Sequence, residues 1–145
     1  MNRTIKYGLL TSLFLIIYFI LMKLIGQEAN FSLRFLNFFI LIGGVYALLA
    51  NSYAKSPMPS YFEGLISGLL LTVTAVVAFV IFLAAYVSFI DPGFIEILEN
   101  SRIWGNRLSI GEAAFAIFIE GIASGVVISF AWMQYFKSRL SAAKA

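Results

Sequence analysis

Charged residues divide this sequence into four long runs, and these runs constrain the fold most. In chain order they cover residues 7–22, 35–54, 64–90 and 113–136, and only the last contains a charge, Glu120. A helix of about 20 residues crosses about 30 Å of hydrocarbon, and flanking residues that snorkel extend the shorter runs. Because the apolar residues are continuous and do not alternate, strands are a poor interpretation. The sequence predicts one all-α integral membrane domain with four transmembrane helices, at about 5–25, 34–54, 61–90 and 110–137.

The composition supports lipid as the surroundings of these runs. Hydrophobic residues make up 61% and charged residues 12% of the 145 residues, against about 45–50% and about 25% in soluble domains. A soluble fold of this size cannot bury so much apolar surface. The first predicted partner is therefore the lipid bilayer.

The chain contains no histidine and no cysteine. This excludes histidine-dependent triads, zinc and iron–sulfur sites, disulfides and His-ligated haem. Nucleotide-binding and hydrolase motifs are absent, and no basic stripe interleaved with aromatic residues indicates nucleic-acid binding. We expect a non-enzymatic protein without cofactor, metal or nucleic-acid partner, although an enzyme acting on lipid or quinone would not need these motifs.

Lysine and arginine predict the orientation. With four spans, both termini and the middle loop share one side of the membrane. That side carries six basic residues and the other carries four: Arg3, Lys6, Lys55, Lys137, Arg139 and Lys144 against Lys23, Arg34, Arg102 and Arg107. The positive-inside rule therefore places both termini in the cytoplasm. The first run is longer than a signal-peptide core and no A-x-A-like site follows it, so we expect an uncleaved helix.

Two capping-box patterns mark helix starts. Ser60 is followed three residues later by Glu63, and Ser109 by Glu112. In such a box each of the two side chains accepts a hydrogen bond from the other residue's backbone N–H. These four residues are predicted to start the third and fourth spans.

The segment after the third span predicts an additional short helix. Asp91-Pro92 is typical of an N-cap followed by the first helical residue, and the apolar residues 94, 95, 97 and 98 can share a face. We expect an interfacial helix at about 92–101 on the outer membrane surface. The alternative is a tethered loop that merely closes the hairpin.

Small residues recur at four-residue spacing in three of the predicted spans. The pattern E-G-x-x-S-G occurs at 63–68 and again at 120–125. An inverted repeat of the transporter type would produce such an echo, but chance or a shared packing solution is the simpler explanation for so short a match. Small residues at this spacing let helices approach closely in lipid, within one chain or against another subunit. The predicted helix-packing residues are Gly43, Ala47, Gly64, Gly68, Gly121 and Gly125.

Glu120 is the candidate intramembrane polar site. Counting about 20 residues back from Lys137 puts Glu120 about 5 Å inside the outer hydrocarbon boundary. One interpretation is a structural ion pair with a basic residue, Lys23, Arg34 or Arg107. The other is a protonatable carboxylate in a small cavity beside Thr72, Thr74 or Ser124, because charges inside a bilayer are commonly functional.

Three segments carry a family resemblance: KYGLLTS at 6–12, FEGLISG at 62–68 and IDPGFIE at 90–96. With these motifs, and over nearly its full length, the chain resembles a family of small four-helix bacterial membrane proteins. That family occurs chiefly in Bacteroidota and is labelled only as a domain of unknown function. The resemblance implies a four-span inner-membrane protein, and it implies no activity, ligand or site residue.

The predicted loops are too short to build a soluble domain, so we expect a role within the membrane plane. The first hypothesis is an accessory or structural subunit that packs through its small-residue helix faces, beside larger subunits or as a homo-oligomer. The competing hypothesis is a small oligomeric proton- or cation-coupled transporter that uses Glu120.

Overall fold

The computed structural model of the chain describes the backbone of residues 3–27, 31–55, 58–100 and 109–144. It describes the side chains of these ranges except at 31–34, 98–100, 139–140 and 143–144. Five helices follow one another: α1 (Arg3–Leu24), α2 (Phe31–Tyr53), α3 (Tyr61–Phe89), α4 (Phe94–Asn100) and α5 (Ile110–Lys144).

The predicted all-α fold is confirmed, since the described ranges contain no strand. Four helical segments are long and apolar enough to cross a membrane: α1, residues 35–53 of α2, α3 and residues 110–138 of α5.

Local backbone signals place the helix ends near the predicted boundaries. α1 ends in a Schellman motif: Gly26 has a φ of 70°, its N–H donates to the Lys23 carbonyl, and the N–H of Gln27 donates to the Met22 carbonyl. α4 begins at Phe94 and not at 92, because Asp91 and the two residues after it form a turn closed by the Phe94 N–H on the Asp91 carbonyl, at 3.2 Å. The apolar segment of α5 ends at residue 138, next to the predicted span end at 137, and the helix itself continues to Lys144.

α3 is the central helix of the bundle. Its most extensive contacts are with α5 and α1. The remaining long helix, α2, contacts α1, α3 and α5. α1 runs parallel to α3, while α2 and α5 run antiparallel to it. The side of α3 turned away from α2 stays uncovered and presents a line of exposed apolar residues: Phe62, Ile66, Leu70, Val73, Val77 and Ile81.

The two ends of the bundle are fastened differently. We call the end where α1 begins and α5 ends the terminal end, and the opposite one the distal end. At the distal end the Lys23 ammonium pairs with the Asp91 carboxylate and lies over two rings, 5.2 Å from the centroid of Tyr86 and 5.6 Å from that of Phe94. Phe19 packs edge-on against both rings. This clasp ties the last turn of α1 to the α3–α4 turn.

At the terminal end, hydrogen bonds join neighbouring helices. The amide of Asn51 donates to the Tyr7 hydroxyl at 2.8 Å, linking α2 to α1. The Trp132 indole N–H donates to the Ile42 carbonyl at 3.1 Å, linking α5 to α2. These bonds fix the register of α2 against both neighbours.

Candidate functional site

The glycines of α3 lie against α5. A Cβ on Gly68 would lie 2.6 Å from the Ser129 hydroxyl oxygen, and a Cβ on Gly64 would lie 2.7 Å from the Met133 sulfur. The same position on Gly64 would collide with the Tyr53 hydroxyl. Only glycine admits these neighbours, so Gly64 and Gly68 let the two backbones approach closely.

The glycines of α5 receive side chains from α3 in the same way. A Cβ on Gly121 would lie 2.6 Å from the Val76 Cγ2 atom. A Cβ on Gly125 would collide with the Thr72 side chain, whose hydroxyl donates to the Gly68 carbonyl at 3.0 Å. Both helices therefore supply glycines and the side chains that fill the space above the partner's glycines.

These contacts form a reciprocal interface, which we call the glycine seam. The contacting pairs step by four residues along each helix in opposite directions: Gly64–Met133, Gly68–Ser129, Thr72–Gly125 and Val76–Gly121. Each helix thus carries two glycines, then a hydroxyl residue, then a larger apolar one, all at four-residue spacing. The two glycines in each copy of the repeated E-G-x-x-S-G pattern therefore have a packing explanation, because both helices use them in the same interface.

α2 differs from the expectation for its small residues. Gly43 is exposed, with no atom within 4 Å of the position that a Cβ would occupy, and Ala47 is exposed as well. The glycine that packs internally is Gly44, where a Cβ would collide with Thr11 of α1. Of the two uses that the sequence left open for Gly43 and Ala47, the structure does not show packing within the bundle, and packing against another subunit stays a prediction. Successive helical residues differ by about 100° in direction, so Gly44 faces inward with Leu41 while Gly43 faces outward.

The outward face of α2 carries two exposed small residues, Gly43 and Ala47, beside two exposed aromatic rings. Phe39, one turn before Gly43, is 63% exposed, and Tyr46, beside Ala47, is 42% exposed. The Tyr46 ring is held by Trp132, with the ring centroids 4.6 Å apart. We call Phe39, Gly43, Tyr46 and Ala47 the α2 groove. Its floor has the Gly-x-x-x-Ala spacing that suits close contact with another helix.

The capping residues have structural positions. The backbone N–H of Ser60 donates to the Glu63 carboxylate at 2.6 Å, and the N–H of Glu63 donates to the Ser60 hydroxyl at 3.3 Å. The matching bonds between Ser109 and Glu112 are 2.8 and 3.2 Å. Both carboxylates are therefore held at helix starts.

Glu120 is level with the middle of α3. The next residue, Gly121, contacts Val76, which is the sixteenth of the 29 residues of α3. The expected depth of about 5 Å inside the outer hydrocarbon boundary stays a prediction.

The side chain of Glu120 is on the outside of α5 and does not enter the core. Thr72, one of the expected neighbours of a Glu120 cavity, is buried against Gly125 and does not reach the exposed Glu120 side chain. The Ser124 hydroxyl donates to the Glu120 backbone carbonyl at 2.8 Å. Of the proposed basic partners, Lys23 pairs with Asp91, whereas Arg107 and the Arg34 side chain lie outside the described residues.

Sequence reasoning missed two packing glycines, Gly8 and Gly44. Gly8 of α1 contacts α3, where a Cβ would lie 2.7 Å from the Thr74 Cβ atom. The signal for Gly44 was available, since it lies three residues after Leu41 and four before Leu48, both buried. The periodicity of the apolar residues on α2, considered together with the small residues, would have selected Gly44.

No family model, no curated protein and no solved structure matches the chain. The family resemblance therefore stays a prediction, and the function is argued from the geometry.

Proposed function

We propose that the chain is a multi-pass membrane protein that acts as a non-enzymatic component of a membrane assembly and docks another transmembrane helix in the α2 groove. The observation that carries the proposal is the outward position of Gly43 and Ala47. The other predicted helix-packing residues, Gly64, Gly68, Gly121 and Gly125, lie in the glycine seam, where this chain itself fills the space above them. Gly43 and Ala47 are the predicted packing residues that remain for a partner.

The exposed surface supports lipid as the surroundings. Every long helix carries large apolar side chains that are more than half exposed: Phe14 of α1 (55%), Phe39 of α2 (63%), Ile81 of α3 (65%) and Val127 of α5 (62%). Soluble monomers rarely expose contiguous apolar patches larger than a few hundred Å². Lipid tails cover such side chains without cost.

The α2 groove allows close packing of a second helix, which lipid tails do not need. Lipid is as apolar as leucine, so association of helices in a bilayer depends on close packing and not on apolar character. A glycine with no atom near its Cβ position lets a second backbone approach, and the rings of Phe39 and Tyr46 would flank that helix. The partner is a helix of a second copy or of a larger subunit.

The orientation is part of the proposal: both termini in the cytoplasm, in a bacterial inner membrane. Since the chain has no native cysteine, single cysteines can report sidedness. Arg3→Cys and Ser141→Cys should react with an impermeant maleimide from one side of the membrane, and Glu96→Cys from the other. Labelling of the first two from opposite sides would contradict four spans.

The docking proposal is tested by filling the groove. The full chain, extracted in mild detergent, should run on native gels above the mass of a monomer, with a second copy or a co-purifying subunit. Gly43→Leu should give a monomer with an unchanged melting temperature, because leucine has the higher helix propensity and its Cβ meets no atom within 4 Å. The matched control is Ala123→Leu, which adds bulk on the outward side of α5.

Two results would reject docking in the α2 groove. One is a wild-type chain that is strictly monomeric with nothing bound. The other is an Ala123→Leu variant that loses assembly as completely as Gly43→Leu, since the effect would then not belong to α2.

A second candidate function is favoured by the depth of Glu120. A carboxylate level with the middle of α3, on the outside of the bundle, is placed where an oligomer of this chain would carry a proton or cation across the bilayer. Proteoliposomes with an internal pH-sensitive dye and an imposed potential would then show flux in the wild type. Glu120→Gln should abolish it, while Glu96→Gln, at an exposed position on α4, should not. Equal flux in all three proteins removes this candidate.

A further inference from the structure

We propose that α1 and α2, where they meet at the terminal end, bind the phosphate of an anionic phospholipid headgroup through Arg3, Lys6 and Lys55. We call this place the α1–α2 seam, which is distinct from the glycine seam. The inference rests on the proposed membrane placement and adds a ligand to it. It does not depend on docking in the α2 groove.

The hydrogen bond between Asn51 and Tyr7 fixes the geometry of this seam. Arg3 precedes Tyr7 by four residues on α1, and Lys55 follows Asn51 by four residues, two residues after the end of α2 at Tyr53. Because the helices are antiparallel, both steps lead in the same direction, about one turn beyond the hydrogen bond. The last helical hydrogen bond of α2, from the Ala54 N–H to the Ala50 carbonyl at 3.0 Å, carries the helical path almost to Lys55. Arg3 and Lys55 therefore lie at one level on neighbouring helices.

The charges at this seam are exposed and are not balanced nearby. Arg3, Lys6 and Lys55 are all exposed. By topology the terminal end carries six basic residues of the sequence and one acidic residue, Glu63, which is held in its capping box on α3. The Lys23–Asp91 ion pair is at the distal end. The seam thus presents cationic groups for an external anion.

Aromatic residues indicate that this anion belongs to a lipid. Tyrosine and tryptophan concentrate at membrane interfaces, with their polar groups at the depth of the headgroups. Six of the nine such residues of the chain lie towards the terminal end: Tyr7, Tyr46, Tyr53, Tyr61, Trp132 and Tyr135. Arg3 and Lys55 lie just beyond the uncharged runs of α1 and α2, so in the proposed membrane placement they are at the headgroup end of these two spans. Lysine and arginine clusters in this position attract anionic lipids.

The experiment measures lipid binding to the purified chain. In a neutral detergent, phosphatidylglycerol or phosphatidylcholine is titrated, and the bound lipids are counted by native mass spectrometry. We expect phosphatidylglycerol to bind more tightly, and its binding to weaken as the salt concentration rises. The double variant Arg3→Gln/Lys55→Gln should bind it about 25-fold more weakly, at about fivefold for each basic side chain near the surface.

The matched control removes the same charge elsewhere at the same end. Lys137→Gln/Arg139→Gln changes two basic residues of α5 and should keep the preference for phosphatidylglycerol. The charge-conserving variant Arg3→Lys/Lys55→Arg should keep it as well, which separates loss of charge from misfolding. Equal weakening by both glutamine pairs would overturn the seam as a site, and so would no preference in the wild type.

Inorganic phosphate separates a lipid from a free anion. Added at millimolar concentration, it should leave bound phosphatidylglycerol in place, because the acyl chains add to the affinity. Complete displacement would overturn the lipid assignment. Failure of the membrane placement itself would be seen before any titration, as a chain that stays dissolved without detergent.

Discussion

The glycine seam and the α2 groove have the same spacing of small residues and opposite environments. In the seam, Gly68 and Gly125 are buried beneath Ser129 and Thr72. In the groove, Gly43 has no atom within 4 Å of a Cβ position. Small residues four positions apart therefore indicate that another helix can approach closely, but they do not identify that helix. The helix that fills the space is identified by complementary side chains, which α3 and α5 supply for each other.

The largest effect is expected from a substitution that disrupts the glycine seam. Gly125→Leu forces a side chain into the space of Thr72, and overpacking of this kind costs about 3 kcal/mol. We expect the melting temperature in detergent to fall strongly or the protein to aggregate on extraction. Gly43→Leu is the matched substitution in the groove and should melt as the wild type does. Equal melting temperatures for the two variants would contradict the distinction between seam and groove.

The sequence alone predicted the parts of this fold that depend on local pattern. The apolar runs predicted four long helices, and serine–glutamate spacing predicted the starts of α3 and α5, because both signals act within a few residues. The distal clasp was not predicted, since Lys23 and Asp91 are 68 residues apart and no local signal joins them. Gly43 was chosen over Gly44 because the choice depends on about 100° of rotation, which only the neighbouring helices determine. The depth of Glu120 likewise depends on the register between α3 and α5.

A substitution in the distal clasp tests whether the glycine seam dominates the stability of the bundle. Lys23→Met removes the charge that pairs with Asp91 and lies over Tyr86 and Phe94. Because the two side chains are 25% and 30% exposed, we expect a loss of about 1.5 kcal/mol in the free energy of unfolding. The measurement is reversible unfolding in mixed micelles, with the exposed Lys137→Met as the control. A loss as large as that of Gly125→Leu would mean that the clasp, and not the seam, dominates.

A smaller effect is expected at the start of α3. Ser60→Ala removes the hydroxyl that accepts the Glu63 N–H, and loss of such a cap costs about 1 kcal/mol. Hydrogen exchange should show fraying of the first turn, while α3 from Gly68 onward, where most of the glycine seam lies, keeps its protection. Ser109→Ala should do the same at α5. Loss of protection along the whole of either helix would show that the seam depends on its caps.

The smallest expected effect is the most specific test of reciprocity. Gly125→Ala places a methyl group against Thr72, whose Cγ2 atom is the nearest obstacle. Thr72→Ala removes that atom, so the double variant should be more stable than the two single losses together imply. We expect a coupling of about 0.5 kcal/mol, the lower end for residues in contact. The same cycle between Gly43→Ala and Thr72→Ala should show no coupling, because Gly43 lies outside the seam. Additive losses of stability at Gly125 and Thr72 would mean that the two residues are not energetically coupled. The packing explanation of the glycines in the repeated E-G-x-x-S-G pattern would then lose its support.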